Sequence, residues 1–476
     1  MATLPLQTSP ERQLRIPAMG FSPSGALRLS MRFVLMVLTF IGTTVCEKAA
    51  GQQVMTIGDA IALALQYNYD IQLSRNDSSV AALDYEYRNA VFLPRLNASA
   101  GTTWNHNSQK QEFINTDNNR EGNVVTNNIN ASVNLNWTLF DGGRMFTTRN
   151  KAEEYIRLGG LVAKEQVVNT LAGVIREYYL IVQQKQQLRA IEEQMSISQS
   201  RVDLAQRKLD IGMGTRPEVL QAQVDLNAQR AARLQQQTQI EHSKKTLNQL
   251  IRPSRTGMPG GLVTEYDVVD SIPVRTDIAM DDVISQLEQS NPTLQILRKN
   301  VEIAHLSLKE TKADRWPVVQ FNSAYNFSRT SNNVALNPFL PIFNHNSGLN
   351  YGFTAAIPIL NYRNTHRLIR QEELNIGFQQ LMLENQQSLL LLDILQAYQD
   401  FEFQQRALEL EESNILLARE NVDIALETYR LGNMTFIQLR EAQKSLEDAR
   451  NRLIAARYGM KVAETELLRL KGDLIR

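Results

Sequence analysis

Asn128-Ile129-Asn130-Ala131-Ser132-Val133-Asn134-Leu135-Asn136-Trp137-Thr138-Leu139 alternates polar with apolar residues throughout. Period two places successive side chains on opposite faces of an extended strand. One face carries only Asn, Ser and Thr, and the other Ile, Ala, Val, Leu and Trp. A half-buried sheet in a soluble domain is one reading. An uncharged polar face backed by an apolar, aromatic-bearing one fits a membrane-barrel strand better, with water inside and lipid outside.

Working outward, Leu96, Ala98, Ala100, Thr102 and Trp104 alternate in the same way, as do Val319, Phe321, Tyr325 and Phe327, and Leu349 to Ile359. Each run is about 11 residues, the length of a tilted strand crossing. They form two hairpins, 96–140 and 318–360, with polar connections near 108–126 and 329–347. Four strands cannot close a barrel, and open edges are not viable in lipid. Closure therefore calls for further copies, and three would give twelve strands.

The chain is written twice. Gln66-Tyr67-Asn68 returns as Gln289-Ser290-Asn291, Leu93-Pro94 as Trp316-Pro317, and Leu209-Asp210-Ile211-Gly212 as Tyr429-Arg430-Leu431-Gly432. The offset runs from 223 (68 to 291) to 220 (212 to 432), so register holds across the whole repeat. The expected organisation is an N-terminal extension and signal peptide over 1–51, a first repeat over 52–252, a breaker-rich linker over 253–276, and a second repeat over 277–476. The signal-peptide reading rests on Arg28 and Arg32 before the apolar run 33–45, with Ala49-Ala50-Gly51 as a cleavage site; Met31 is an alternative start. Lipid attachment at Cys46 is a rival reading that its surroundings favour less.

Between the hairpins lie long helical stretches. From Arg144 to about Gly212 only Gly159, Gly160 and Gly173 interrupt helix-favouring sequence. Leu439, Ala442, Leu446, Ala449, Leu453, Ala456, Met460, Ala463, Leu467 and Leu470 step by three and four, a heptad whose alanines allow a neighbouring helix close. In the first repeat Val219, Ala222 and Leu226 keep the stripe, but Gln229 and Arg233 break it. Pro94 and Pro317 stand where helix gives way to strand.

Charge balances over the 476 residues, 50 basic against 50 acidic, which speaks against a nucleic-acid partner. One cysteine and five scattered histidines offer no metal-ligand set, and no cofactor is implied. No nucleophile–base pair or phosphate loop points to an enzyme.

Ile57-Gly58-Asp59-Ala60-Ile61-Ala62-Leu63-Ala64 with Asn68, the Leu93-Pro94 junction, Leu139-Phe140-Asp141-Gly142-Gly143 and the glycine turns at Gly212 and Gly432 resemble the TolC family of outer-membrane efflux proteins, over about residues 54–472. The resemblance implies a mixed α/β membrane protein: a homotrimeric twelve-stranded β-barrel in outer-membrane lipid, continuous with a coiled-coil α-helical barrel across the periplasm. It implies an exit channel for a tripartite efflux pump or type I secretion system. The partners would be a periplasmic adaptor and an inner-membrane pump of resistance-nodulation-division or ABC type. The turns Gly212, Met213, Gly214, Thr215 and Gly432, Asn433, Met434, Thr435 would be the tips where the adaptor docks. Glu218, Tyr429 and Arg450 match positions of the closing network, and Glu441 matches one position of an acidic ring. Gln438 occupies the other ring position, and Met434 replaces an arginine that would pair with Glu218. The alternative is a soluble periplasmic coiled-coil or adaptor-like protein, which would carry a lipoyl-like domain not seen in the sequence.

Overall fold

The computed structural model describes residues 54–251, 266–335 and 341–474. The extension over 1–51, Cys46 and residues 253–265 of the expected linker lie outside the described residues. The first half runs β1 (Val54–Met55), α1 (Ile57–Tyr67), α2 (Tyr69–Glu86), β2 (Arg95–Gln111), β3 (Arg120–Asp141), α3 (Arg144–Asp210) and α4 (Arg216–Ile251). The second runs β4 (Asp267–Val268), α5 (Met280–Ser290), α6 (Pro292–Ala313), β5 (Val318–Asn332), β6 (Phe343–Ala356), α7 (Asn364–Arg430) and α8 (Phe436–Lys471). The order of elements is the same in both. Helices α3 and α7 have 67 residues each, and α4 and α8 have 36 each. At ~1.5 Å per residue the longer pair extends ~100 Å.

Two helices precede each hairpin, where the sequence suggested one. Asn68 and Asn291 make the break, each in an extended conformation at the start of the second helix. Asn68 Oδ1 accepts from Ile71 N at 3.1 Å, and its Nδ2 donates to Leu250 O at 2.9 Å. Asn291 repeats both bonds, from Leu294 N at 3.1 Å and to Leu470 O at 2.9 Å. Each buried amide thus caps one helix and satisfies a carbonyl at the end of the last helix in its own repeat.

The sheet is antiparallel in the order β2-β3-β5-β6, so the repeats join through β3 and β5. Directly opposed residues share a face. Ala98, Val133, Tyr325 and Leu349 make an apolar rung, and the next rung is Ser99, Ser132, Asn326 and Gly348. Strand lengths of 17, 22, 15 and 14 residues exceed the expected crossing length. The ladder continues into the stretches expected as connections, as far as Gln111 opposite Arg120 and Ser331 opposite Phe343. At the other end β6 stops at Ala356, short of Ile359, because Pro358 has no N–H for a ladder.

Part of the expected linker is built in. β4 pairs in parallel with β1. The Tyr178 hydroxyl donates to Met55 O at 2.8 Å and accepts from Val269 N at 3.2 Å. Lys185 bridges Asp267 at 2.5 Å and Asp270 at 2.8 Å. Burial pushes the Asp270 carboxyl up, but Lys185 and Arg189 outweigh it and hold it below the usual range.

The heptad of α8 packs as read. Eight of its ten residues are buried, and Leu446 and Leu453 lie half-buried against the same clusters. In α4, Val219, Ala222 and Leu226 are buried, and the stripe continues through a buried Gln236 that donates to Gln184 O at 3.1 Å.

Candidate functional site at the helix tips

Both long helices end in the same backbone turn. Gly212 (φ 74°) donates to Leu209 O at 3.0 Å and Met213 to Lys208 O at 2.8 Å. Gly432 (φ 82°) donates to Tyr429 O at 3.1 Å and Asn433 to Thr428 O at 3.0 Å. These are paired closing bonds around a left-handed residue, a conformation glycine adopts without a Cβ penalty. Gly214 has a further constraint, since a Cβ there would lie 2.9 Å from Leu209 N.

The starts of the following helices differ. Thr435 and Gln438 form a capping box on α8: Thr435 Oγ1 accepts from Gln438 N at 3.3 Å, and Gln438 Oε1 accepts from Thr435 N at 3.0 Å. On α4 the corresponding bond is stretched, with Thr215 N to Glu218 Oε2 at 3.5 Å. Gln438 and Glu218 therefore serve their own helix starts.

The residues matched to the closing network are not brought together. Tyr429 is buried among Val422, Ala425, Leu439 and Ala442, with Met434 packed against them and Lys208 Nζ 3.8 Å from its ring centre. Arg450 pairs with Glu193 on α3, higher up the bundle than the turns. Glu441 is exposed.

The structure assembles a different group. A cleft of about 410 Å³ near the tips is lined from three helices, by Arg201 of α3, Asp225 of α4, and Arg440, Glu441, Lys444 and Glu447 of α8 among others. Asp225 Oδ2 lies 3.6 Å from Arg201 Nη2 and 3.4 Å from Arg440 Nε. Its other oxygen accepts from Gln221 Nε2 at 3.0 Å. Arg201 is only 8% exposed. Burial pulls its guanidinium below the usual range, Asp225 opposes that, and Arg440 adds to it. Guanidinium stays charged regardless, so the Asp225 carboxylate stands between two cations from the two repeats, and Glu447 adds to the attraction on Arg201. No sequence signal marked Arg201 or Asp225, because the three residues meet from separate helices with no local spacing.

Among the described residues no helix is long and apolar enough to cross a membrane. An antiparallel sheet with one apolar and one uncharged polar face, carried on helices ~100 Å long, fits one copy's share of a membrane channel with a helical tunnel. The family model described as "Outer membrane efflux protein" matches residues 60–251 and 283–473, and the chain belongs to that family. It is similar to outer membrane protein TolC of Vibrio cholerae, at 20% identity over 81% of this chain and 83% of that protein. Outer membrane efflux protein BepC of Brucella suis is 21% identical over 91% of this chain and 88% of its own length. The Campylobacter jejuni CmeC outer membrane channel shares the fold with a TM-score of 0.71 at 14% identity, covering 97% of this chain and 94% of that one. The protein is an outer-membrane exit channel of the efflux type, with its helical tunnel in the periplasm.

Proposed function

We propose that three copies close one twelve-stranded barrel and one helical tunnel, a passive conduit that opens at its helix tips. The observation that carries this reading is the pair of uncovered sheet edges. Among the described residues β2 and β6 each lack a neighbour on one side, and a strand edge in lipid leaves backbone groups without partners. Each β6 would pair with β2 of the next copy as β3 pairs with β5. Asn136 of β3 faces Asn322 of β5 within the chain; the equivalent positions are Ala356 on β6 and Ser99 on β2. Carrying Ser99→Cys and Ala356→Cys in a Cys46→Ser background, oxidised membranes should give covalent trimers. Monomers alone would sink the reading.

In the closed state the Arg201–Asp225–Arg440 group would hold α8 against α3 and α4, beside the contacts that Glu218, Tyr429 and Arg450 would make between copies. Three Glu441 carboxylates would form a single ring that favours cations. The exposed Ile211, Met213, Leu431 and Ile437 supply apolar tips on which a periplasmic adaptor could dock, bringing the inner-membrane pump that provides the energy.

A further inference from the structure

The second hairpin carries an arginine with no acid beside it. From Val318 to Gln371 the sequence contains no Asp or Glu, whereas the first hairpin has Glu112, Asp117 and Glu121. Arg329 alternates onto the face of Phe321, Tyr325 and Phe327, the apolar face that meets lipid in a barrel. It is exposed, and its guanidinium lies 5.1 Å from the Phe343 ring centre. Its strand neighbours are Ile129 of β3 and His345 of β6, so neither side supplies a counter-charge. His345 stands on the same face, with its ring centre 4.9 Å from that of Phe327.

The first repeat keeps the arrangement. Shifted by 223 residues, Phe327 and Arg329 become Trp104 and His106, so each repeat sets an aromatic ring and then a base on the lipid face. Strand geometry gives their height. Ten residues separate Val319 from Arg329, and ten separate Leu96 from His106. At ~3.3 Å per residue and ~40° of tilt, that is ~25 Å along the membrane normal, the height of a barrel's apolar band. The helices leave the opposite end of the sheet, so both bases stand at the headgroup level of the outer leaflet.

A cation at that level with no protein carboxylate draws its anion from the lipid. Guanidinium presents a planar fork of donors that matches phosphate oxygens. We propose that Arg329 and His345 bind a phosphate group of a phosphorylated glycolipid in the outer leaflet, with the Phe327 and Phe343 rings beside its apolar part. His106 above Trp104 is the weaker copy of the same site.

This inference rests on the barrel reading, and the test separates the two. Purified full-length trimer in mild detergent is titrated with diphosphoryl lipid A, with its dephosphorylated form and with phosphatidylcholine. Bound lipid is counted by native mass spectrometry. Diphosphoryl lipid A should bind at least ~tenfold more tightly than either of the others, and the preference should shrink as salt is raised. Arg329→Gln should weaken its binding about fivefold, the effect of one basic residue near an anionic lipid surface. Arg329→Lys should keep most of the binding, and Arg95→Gln, at the helix end of β2, should leave it unchanged. A wild-type trimer with no preference for the phosphorylated lipid, or an Arg329→Gln trimer that keeps the full preference, overturns the headgroup site and leaves the channel reading standing. A wild-type monomer overturns both.

Discussion

The two repeats have long helices of identical length, yet they agree in some places and part in others. Asn68 and Asn291 make the same pair of hydrogen bonds to the same two landmarks. At the strand-to-helix corner, by contrast, Gly142 and Gly143 stand opposite Tyr362 and Arg363, all four with positive φ. The tips differ again, with a full capping box on α8 and a single 3.5 Å bond from Thr215 N to Glu218 Oε2 on α4. Agreement falls where each repeat folds on itself. Divergence falls at the corners and the tips, where the two copies of an element have different surroundings within the chain.

The corner should give the largest effect. Gly142→Ala puts a Cβ 2.5 Å from Ala313 O and forces an L side chain to φ 71°, so thermal or denaturant unfolding should show a loss of about 3 kcal/mol or more. The matching change Tyr362→Gly removes left-handed strain and should not destabilise the fold of the single chain. If the two substitutions behave alike, the corners are not different environments.

Next come the buried amides. Asn68→Ala and Asn291→Ala each remove a cap and orphan a buried carbonyl, so each should cost about 2 kcal/mol. Equal losses support the shared role, and a silent change at either position breaks it. At the tips, Thr435→Ala should cost about 1 kcal/mol and Thr215→Ala a few tenths, because only the former loses a well-formed box.

The smallest effect concerns Glu177, whose counterpart is Ala397. Burial raises the Glu177 carboxyl above its usual 4.5, opposed by a hydrogen bond from Ser243 and by Arg176. A carboxyl raised in the folded state binds more protons there than in the unfolded chain, so stability falls as pH climbs through the interval from 4.5 to the raised value. Glu177→Gln should therefore unfold at a higher temperature than wild type at neutral pH. The gap should close as the medium is acidified through that interval; a constant gap would mean the proton is not involved.

Much of this was legible in the sequence. Alternation over 128–139 gave the strands, the three-four spacing gave the buried side of α8, and the prolines gave the helix-to-strand changes. Strand length was not, because the polar outer halves of the hairpins pair through backbone bonds that side-chain pattern does not report. The extra break at Asn68 was visible as a repeated asparagine, but its reason lies 182 residues away at Leu250. The tip group was the least legible. Asp225 gathers Arg201 and Arg440 from two other helices, and only the packed bundle reveals that.

The central claim is a channel held shut at its tips, and conductance tests it most directly. Purified full-length protein in a planar bilayer should give small, discrete, cation-favouring steps. Asp225→Asn should enlarge them several-fold by releasing Arg201 and Arg440, and Glu441→Gln should weaken the cation preference. The absence of discrete steps from both wild type and Asp225→Asn would contradict the account.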